Sequence, residues 1–279
     1  MPLNSLTRAR KPHKRAILRQ RESRSTFSPR HRKTLSPAVR SVLLAATKEV
    51  LVNTLLRALP ENEYARLSAN LETVALEMGQ VLYEPEEPIS HVYFPETAVL
   101  SLLAMDDSAG AVEVGTIGNE GTSGLAAFNG MESAPQQCLS QIPGGARRLT
   151  VDAFSRQIQE LPALRALMHR YSHCFFNDVA QSVACNQLHS IEQRCARWLL
   201  MTHDRVAGNE FTLTQEFLSY MLGTRRASVS VAAKRLQRRK VIRYSRGKVK
   251  VLDRDGLENA SCACYRITRA AYDELIGSK

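Results

Sequence analysis

Long apolar runs are missing from this 279-residue chain. The longest largely apolar stretch, Ala98 to Met105, falls far short of the roughly 20 residues a membrane-spanning helix needs, so no membrane partner is expected. The first thirty residues hold seven Arg and no apolar core segment, so no secretory signal is legible and a cytoplasmic location is expected. A transit peptide shares that composition and is left open. Cysteines are few: six, scattered, none before Cys138. Without an export signal they read as reduced thiols rather than a disulfide framework. Catalytic signatures are also missing. There is no Walker A run, no Rossmann glycine run and no HExxH, and Gly121-Thr-Ser-Gly124 lacks the spacing of a nucleophile elbow. An enzyme is not expected.

What the chain does have is charge, unevenly placed. The net charge of +11 points to nucleic acid or another anionic partner. Residues 1–50 carry +11, residues 51–189 carry −9, residues 190–250 carry +10 and residues 251–279 carry −1. The excess of the whole equals that of an Arg/Lys/Ser/Pro-rich start, interrupted by Ser28-Pro29 and Ser36-Pro37. Such a segment cannot bury enough apolar surface to offset ordering, so residues 1–45 are read as a disordered basic tail. The informative charge is the second block, between residues 190 and 250.

Between these blocks the pattern changes three times. From Val42 to Leu59 apolar residues recur at helical spacing; Pro60 follows, then a short helix with Tyr64, Leu67 and Leu71. Residues 73–152 read as short strands: Val81–Tyr83, His91–Phe94, Val99–Met105 and Ala111–Ile117. They are separated by Pro, Gly and acidic turns, the pattern of a small sandwich or barrel. Past Leu161 a long helix carries two apolar stripes, one with Leu164, Met168, Tyr171, Phe175, Val179 and Val183, the other with Leu167, Cys174, Gln181, Cys185 and Leu188. Two stripes need two partners, here the chain's own strands and a second copy. Leu164, Leu167, Tyr171, Cys174, Gln181, Cys185 and Leu188 are therefore the expected dimer residues. Ser190 reads as the N-cap of a further helix containing Cys195 and Trp198.

The most specific local signal lies in residues 213–252. Thr214 is a good N-cap, with Gln215 and Glu216 in the first turn. Leu218, Met221 and Leu222 form the buried face of a short helix that Gly223 terminates. A second helix over 225–239 buries Val229, Ala232, Ala233 and Leu236. Its exposed side offers Arg225, Arg226, Ser228, Ser230, Lys234 and Arg235, and the pair reads as a helix-turn-helix. Val241–Tyr244, a turn at Ser245-Arg246-Gly247 and Lys248–Leu252 then make a hairpin with Lys248 and Lys250 on one face, a wing. Thr214, Arg225, Arg226, Ser228, Ser230, Lys234, Arg235, Arg246, Lys248 and Lys250 are the expected contacts to double-stranded DNA.

In this order of parts the sequence resembles the Crp/Fnr superfamily of bacterial transcription regulators. The resemblance covers residues 46–279 and is most specific in Leu213-Thr-Gln-Glu-Phe-Leu…Leu222-Gly-Thr-Arg-Arg-Ala-Ser-Val229. It implies an α+β chain: a jelly-roll-like β-roll sensor domain at 46–155, a dimerisation helix at 156–189 and a winged helix-turn-helix at 190–279. It also implies a homodimer on a palindromic operator, a signal received at the β-roll, and RNA polymerase as a partner. Arg226 matches the family's base-reading arginine, while Ala227 and Val231 stand where a Glu and a second Arg are common. A cyclic-nucleotide- or redox-responsive member of the family, or a nucleic-acid binder dominated by the tail, are the alternatives.

The same resemblance sets the cofactor expectations. A cyclic-nucleotide site in the family uses a Gly-Glu pair and an Arg. Here Leu125 follows Gly124, and no Arg lies between Glu132 and Ile142, so cAMP is not expected. A weaker effector reading collects Gly118, Glu120, Gly121, Gly124, Gln136 and Gln137. No iron–sulfur cluster is expected, since residues 1–137 hold no Cys. His169, His173 and Cys174, and likewise Cys185 and His189, have zinc-compatible spacing but read as helix residues at a dimer seam. Cys262-Ala-Cys264 reads as packing. No metal site is expected.

Overall fold

A computed structural model describes residues 53–106 and 110–276, within the compact unit Lys48–Lys279. The expected tail of residues 1–45 and the start of the expected helix at Val42 lie outside the described residues. Among the described residues no helix is long and apolar enough to cross a membrane.

Two short helices open the fold, α1 (Thr54–Arg57) and α2 (Glu61–Ser68). The strands expected from alternation follow, in nearly the expected places: β1 (Glu72–Leu76), β2 (Val81–Tyr83), β3 (His91–Pro95), β4 (Val99–Asp106) and β5 (Gly110–Ile117). A single helical turn, α3 (Leu125–Phe128), leads to β6 (Gln136–Ile142) and β7 (Gly144–Thr150). They form two antiparallel sheets, β1-β7-β3 and β2-β6-β4-β5. Inner-face residues such as Val92, Phe94, Leu100, Ile117 and Cys138 are almost wholly buried, each apolar side chain contributing about 1.5–3 kcal/mol.

Helix α4 (Val151–Glu160), capped by Thr150, and the 27-residue α5 (Pro162–Leu188) cross the roll. Pro162 sits at the first position of α5, where its missing N–H costs no hydrogen bond. The buried Glu63 accepts from the N–H groups of Ala163 and Leu164 at 3.0 Å each and satisfies that helix start. Ser190 begins α6 (Ile191–His203) with a reciprocal capping box to Gln193. Beyond it come β8 (Glu210–Thr212), α7 (Gln215–Met221), α8 (Arg226–Arg238), β9 (Ile242–Ser245) and β10 (Lys248–Val251). The strands form one sheet in the order β8-β10-β9.

Two helices complete the chain: α9 (Arg254–Ala260), capped by Asp253, and α10 (Cys264–Ile276). Helix α10 packs along α5 and inserts Tyr272 and Leu275 into the core beneath the roll. No expectation from sequence covered it. Its apolar residues Tyr265, Tyr272 and Leu275 nonetheless recur at helical spacing, with Thr268 on the same face.

Candidate nucleic-acid interface

Helix α7 is closed at both ends by its own sequence. Thr214 Oγ1 accepts from the Phe217 N–H at 3.1 Å. At the other end Gly223 takes φ +54, where a side chain is disfavoured. The Gly223 N–H reaches the Tyr220 carbonyl at 3.1 Å and the Thr224 N–H that of Ser219 at 3.0 Å, a Schellman closure. Helix α8 then buries Val229, Ala232, Ala233 and Leu236 and turns Arg225, Arg226, Ala227, Val231, Lys234 and Arg238 to solvent. The wing turns at Arg246 (φ +50) and Gly247 (φ +73), a two-residue hairpin of the type that matches strand twist. Tyr244 donates its hydroxyl to the Leu213 carbonyl at 2.9 Å and holds the wing against the start of α7.

Not every expected contact faces outward. Ser230 donates to Gln215 Oε1 at 2.6 Å and locks α8 to α7, and the Thr214 hydroxyl caps its helix. Arg235 and Arg239 lean on Glu192 of α6 at 3.6 and 3.5 Å. Ser228 is half-buried, whereas Arg225, Arg226 and Lys234 stand exposed on α8, as do Lys248 and Lys250 on β10. Lys248 lies 3.7 Å from Glu210, an exposed pair of little energetic weight. Arg238, which shares the outward stripe of Ala227, Val231 and Lys234, was missed. Counting i, i+4, i+7, i+11 from Ala227 reaches it.

The residues of the effector reading make contacts within the chain. A Cβ on Gly118 would sit 2.5 Å from the Arg205 side chain, one on Gly121 2.5 Å from Tyr171 Oη, and one on Gly124 2.6 Å from Val92. These glycines make room for the protein's own side chains. Glu120, expected in the pocket, takes both Nε and Nη2 of Arg205 on one oxygen, at 2.9 and 2.8 Å. Tyr171 donates to the Thr122 carbonyl at 3.1 Å. Gln137 donates to Glu84 at 2.7 Å at the surface, and Gln136 lies half-buried on β6.

The same holds for most of the dimer residues. Leu164, Leu167 and Tyr171 are buried in the core under the roll. Cys174 contacts the Ala271 carbonyl of α10 at 3.4 Å, and Gln181 donates to Cys264 Sγ at 3.0 Å. Cys185 is 1% exposed. The second partner of the two-striped helix is thus α10 of the same chain, a helix absent from the sequence expectations. Of the expected set Leu188 stays outside, 76% exposed, and Phe176 and Val183 are 69% and 61% exposed.

Roll and helix-turn-helix meet at a titrating carboxyl. The turn at Gly223 is seated on Val112 of β5, and Glu113 beside it accepts from Trp198 Nε1 of α6 at 2.8 Å. Ser101 Oγ lies 2.6 Å from both Glu113 Oε2 and Gln141 Oε1, one hydroxyl proton between two acceptors. Desolvation raises the Glu113 pKa to about 7, against hydrogen bonds from Ser101, Trp198 and Thr116 and the charge of Arg205. A protonated Glu113 supplies the proton that Ser101 lacks. Since the native pKa exceeds the unfolded one, the penalty begins near the unfolded pKa and is complete above pH 7. Glu113→Gln should therefore match the wild type in acid and exceed its stability at pH 8 by roughly 2–3 kcal/mol. Trp198, the chain's one tryptophan, should report the titration as a fluorescence change centred near pH 7 that Glu113→Gln abolishes.

Four of the six cysteines bear on redox or metal chemistry. Cys195 is fully enclosed, and burial pushes its thiol up to about 12, which leaves little thiolate for redox chemistry. Cys185 and Cys262 instead face each other at 3.5 Å, and Cys264 Sγ lies 3.5 Å from His189 Nδ1. One atom from each of these four residues lies within 4.8 Å of every other. Cys262 and Cys264, read from sequence as packing, thus join Cys185 and His189 in one cluster. The other zinc-compatible set disperses: the His169 ring packs edge-on to Phe128, and His173 pairs with Asn177 at 3.0 Å.

The described chain thus runs from a seven-stranded roll through a long helix to a winged helix-turn-helix. Residues 193–260 match the family model of the Crp-like helix-turn-helix domain. The FixK2 protein of Bradyrhizobium japonicum superposes with a TM-score of 0.59 at 15% identity over 69% of this chain and 98% of that one. A CRP-family transcriptional regulator from Thermus thermophilus gives 0.57 at 18% identity, over 68% and 96%. The c-di-GMP-responsive global regulator CLP of Xanthomonas campestris gives 0.53 at 12%, over 69% and 99%. No curated protein matches the sequence. Residues 193–260 are a Crp-like helix-turn-helix domain, and the fold around them is that of the Crp/Fnr transcription regulators.

Proposed function

We propose that the chain is a sequence-specific transcription regulator of the Crp/Fnr type, acting as a homodimer that sets α8 of each subunit into successive major grooves about 34 Å apart. The observation that carries this reading is the outward face of α8. Arg226 stands exposed at its first turn, a donor suited to guanine O6 and N7. Ala227 and Val231 present apolar surface on the same helix, suited to thymine methyl groups. Lys248 and Lys250 on the wing supply phosphate contacts. The dimer would use the exposed stripe of Phe176, Ala180 and Val183 on α5. The Gly118–Gly124 loop packs against Tyr171 and Arg205, and RNA polymerase as a partner rests on the resemblance alone.

Selection from a randomised DNA pool tests the reading. The wild type should return a two-fold symmetric site, and Arg226→Ala should lose about 1–3 kcal/mol and all preference at one base pair of each half-site. Lys250→Ala should weaken every sequence alike and lower the salt slope by about 1. An unchanged base preference in Arg226→Ala removes the assignment of α8. Deleting residues 1–45 should leave the selected site the same. Loss of all binding instead makes the tail the binding element.

A further inference from the structure

We propose that Cys185, His189, Cys262 and Cys264 form a tetrahedral Cys3His site for one zinc ion, fastening the start of α10 to the end of α5. The inference is independent of the DNA reading, because metal binding is measured without DNA. Cys185 lies on the last turn of α5 and His189 is the extended C-cap that follows it, its N–H bonded to the Cys185 carbonyl. Cys264 opens α10 and Cys262 lies two residues before it, 77 positions beyond Cys185 along the chain. Two separate chain segments thus aim three sulfurs and an imidazole nitrogen at one point.

The spacing suits the ion. Zn–S bonds of about 2.3 Å and Zn–N bonds of about 2.0–2.1 Å place tetrahedral ligand atoms roughly 3.5–3.8 Å apart. The contacts Cys185–Cys262 and Cys264–His189 are both 3.5 Å, and no ligand pair exceeds 4.8 Å. That separation is well beyond a disulfide bond yet shorter than apolar packing requires. Cys185, Cys262 and Cys264 are 1%, 6% and 2% exposed, which closes the site to water as in a structural rather than a catalytic centre.

The surroundings fit as well. Gln181 Nε2 donates to Cys264 Sγ at 3.0 Å, and the Cys264 backbone N–H donates to the Cys262 sulfur. Such donors stabilise thiolates and orient them. Three thiolates around a divalent ion leave one negative charge. Arg194 and Arg197 of α6 exert attractive fields on Cys185, and each has a buried Nε without a hydrogen-bond partner. On binding, the ion replaces the thiol protons, which pass to solvent, with no change of oxidation state. Ser190, the cap of α6, follows His189 directly, so the ion would stiffen the joint between the long helix and the DNA-binding domain.

The test is the metal content of the full chain purified under reducing conditions from zinc-supplemented medium. One zinc per chain is expected by mass spectrometry. Cobalt(II) exchanged into the site should show intense tetrahedral d–d bands and a thiolate-to-cobalt charge-transfer band. Cys262→Ser and Cys264→Ser should each lose the equivalent, Cys174→Ser should keep it, and Gln181→Ala should bind about 10–100-fold more weakly. Should the serine variants fail to fold, mercurial titration of the wild type decides: zinc must be released in step with three thiols. Wild-type protein without stoichiometric zinc, an octahedral cobalt spectrum, a Cys185–Cys262 disulfide in the fresh protein, or full zinc in the serine variants each overturns the site.

Discussion

Glu120→Ala lowers the unfolding free energy by about 3–5 kcal/mol, measured by urea denaturation at neutral pH. Glu120 is the sole carboxylate paired with Arg205 among the described ion pairs, and both side chains are enclosed, 14% and 7% exposed. Removing it leaves the guanidinium with the Met201 carbonyl at 2.9 Å and only the more distant charge of Asp178, which forms no ion pair with it among the described contacts. The Gly118 N–H, which also donates to Glu120 at 3.1 Å, is orphaned in the same step. The cost is thus the desolvation of what remains rather than the strength of the pair. The loss should therefore vary little with salt, because the pair is shielded from counterions. The double variant Glu120→Leu/Arg205→Met should recover most of the loss, as buried pairs replaced by apolar side chains often do. A single variant within about 1 kcal/mol of the wild type, the range of exposed pairs, would mean that water reaches Arg205.

Glu120 also shows where sequence patterns stop being informative. The periods of two and of three to four residues placed the strands from Val81 to Ile117, the long helix, and α7, α8 and the wing, because each buries one face. Capping chemistry at Thr214, Ser190 and Gly223 was equally local and equally legible. Partners were not. Glu120 beside glycines looked like a ligand site because a pocket and a tight packing loop draw on the same residue types. Only Arg205, 85 positions away, decides between them. The dimer stripe is ambiguous for the same reason: an apolar face on α5 records that something covers it, not whether α10 or a second chain does. The Cys3His cluster joins two pairs that are each ordinary alone, and no spacing rule links residues 77 apart.

Asp178→Ala is expected to cost about as much, roughly 3–5 kcal/mol, for a related reason with a different pH signature. Asp178 Oδ1 accepts from Arg197 Nη2 at 3.0 Å, and the same guanidinium reaches Ser182 and Thr268, so one cluster joins α5, α6 and α10. Burial raises the Asp178 pKa, against the opposing pull of Arg197. The native carboxyl therefore holds its proton more tightly than the unfolded one, and this residue makes stability fall as pH rises from the unfolded pKa through the native one. An exposed ion pair gives the reverse slope. The raised pKa and the large truncation cost do not conflict. The first compares charged with neutral Asp178, while the second compares Asp178 with no acceptor at all and leaves Arg197 buried beside hydroxyls. Asp178→Asn separates them: it keeps an acceptor of the same shape, so its loss should be smaller than that of Asp178→Ala, and its stability curve should lack the acid-side slope. Urea midpoints from pH 4 to pH 8 on the three proteins read both effects. Equal losses in the Asn and Ala variants would place the whole contribution in the charge of Asp178, and a wild-type slope of the opposite sign would mean that Arg197 outweighs burial at this carboxylate.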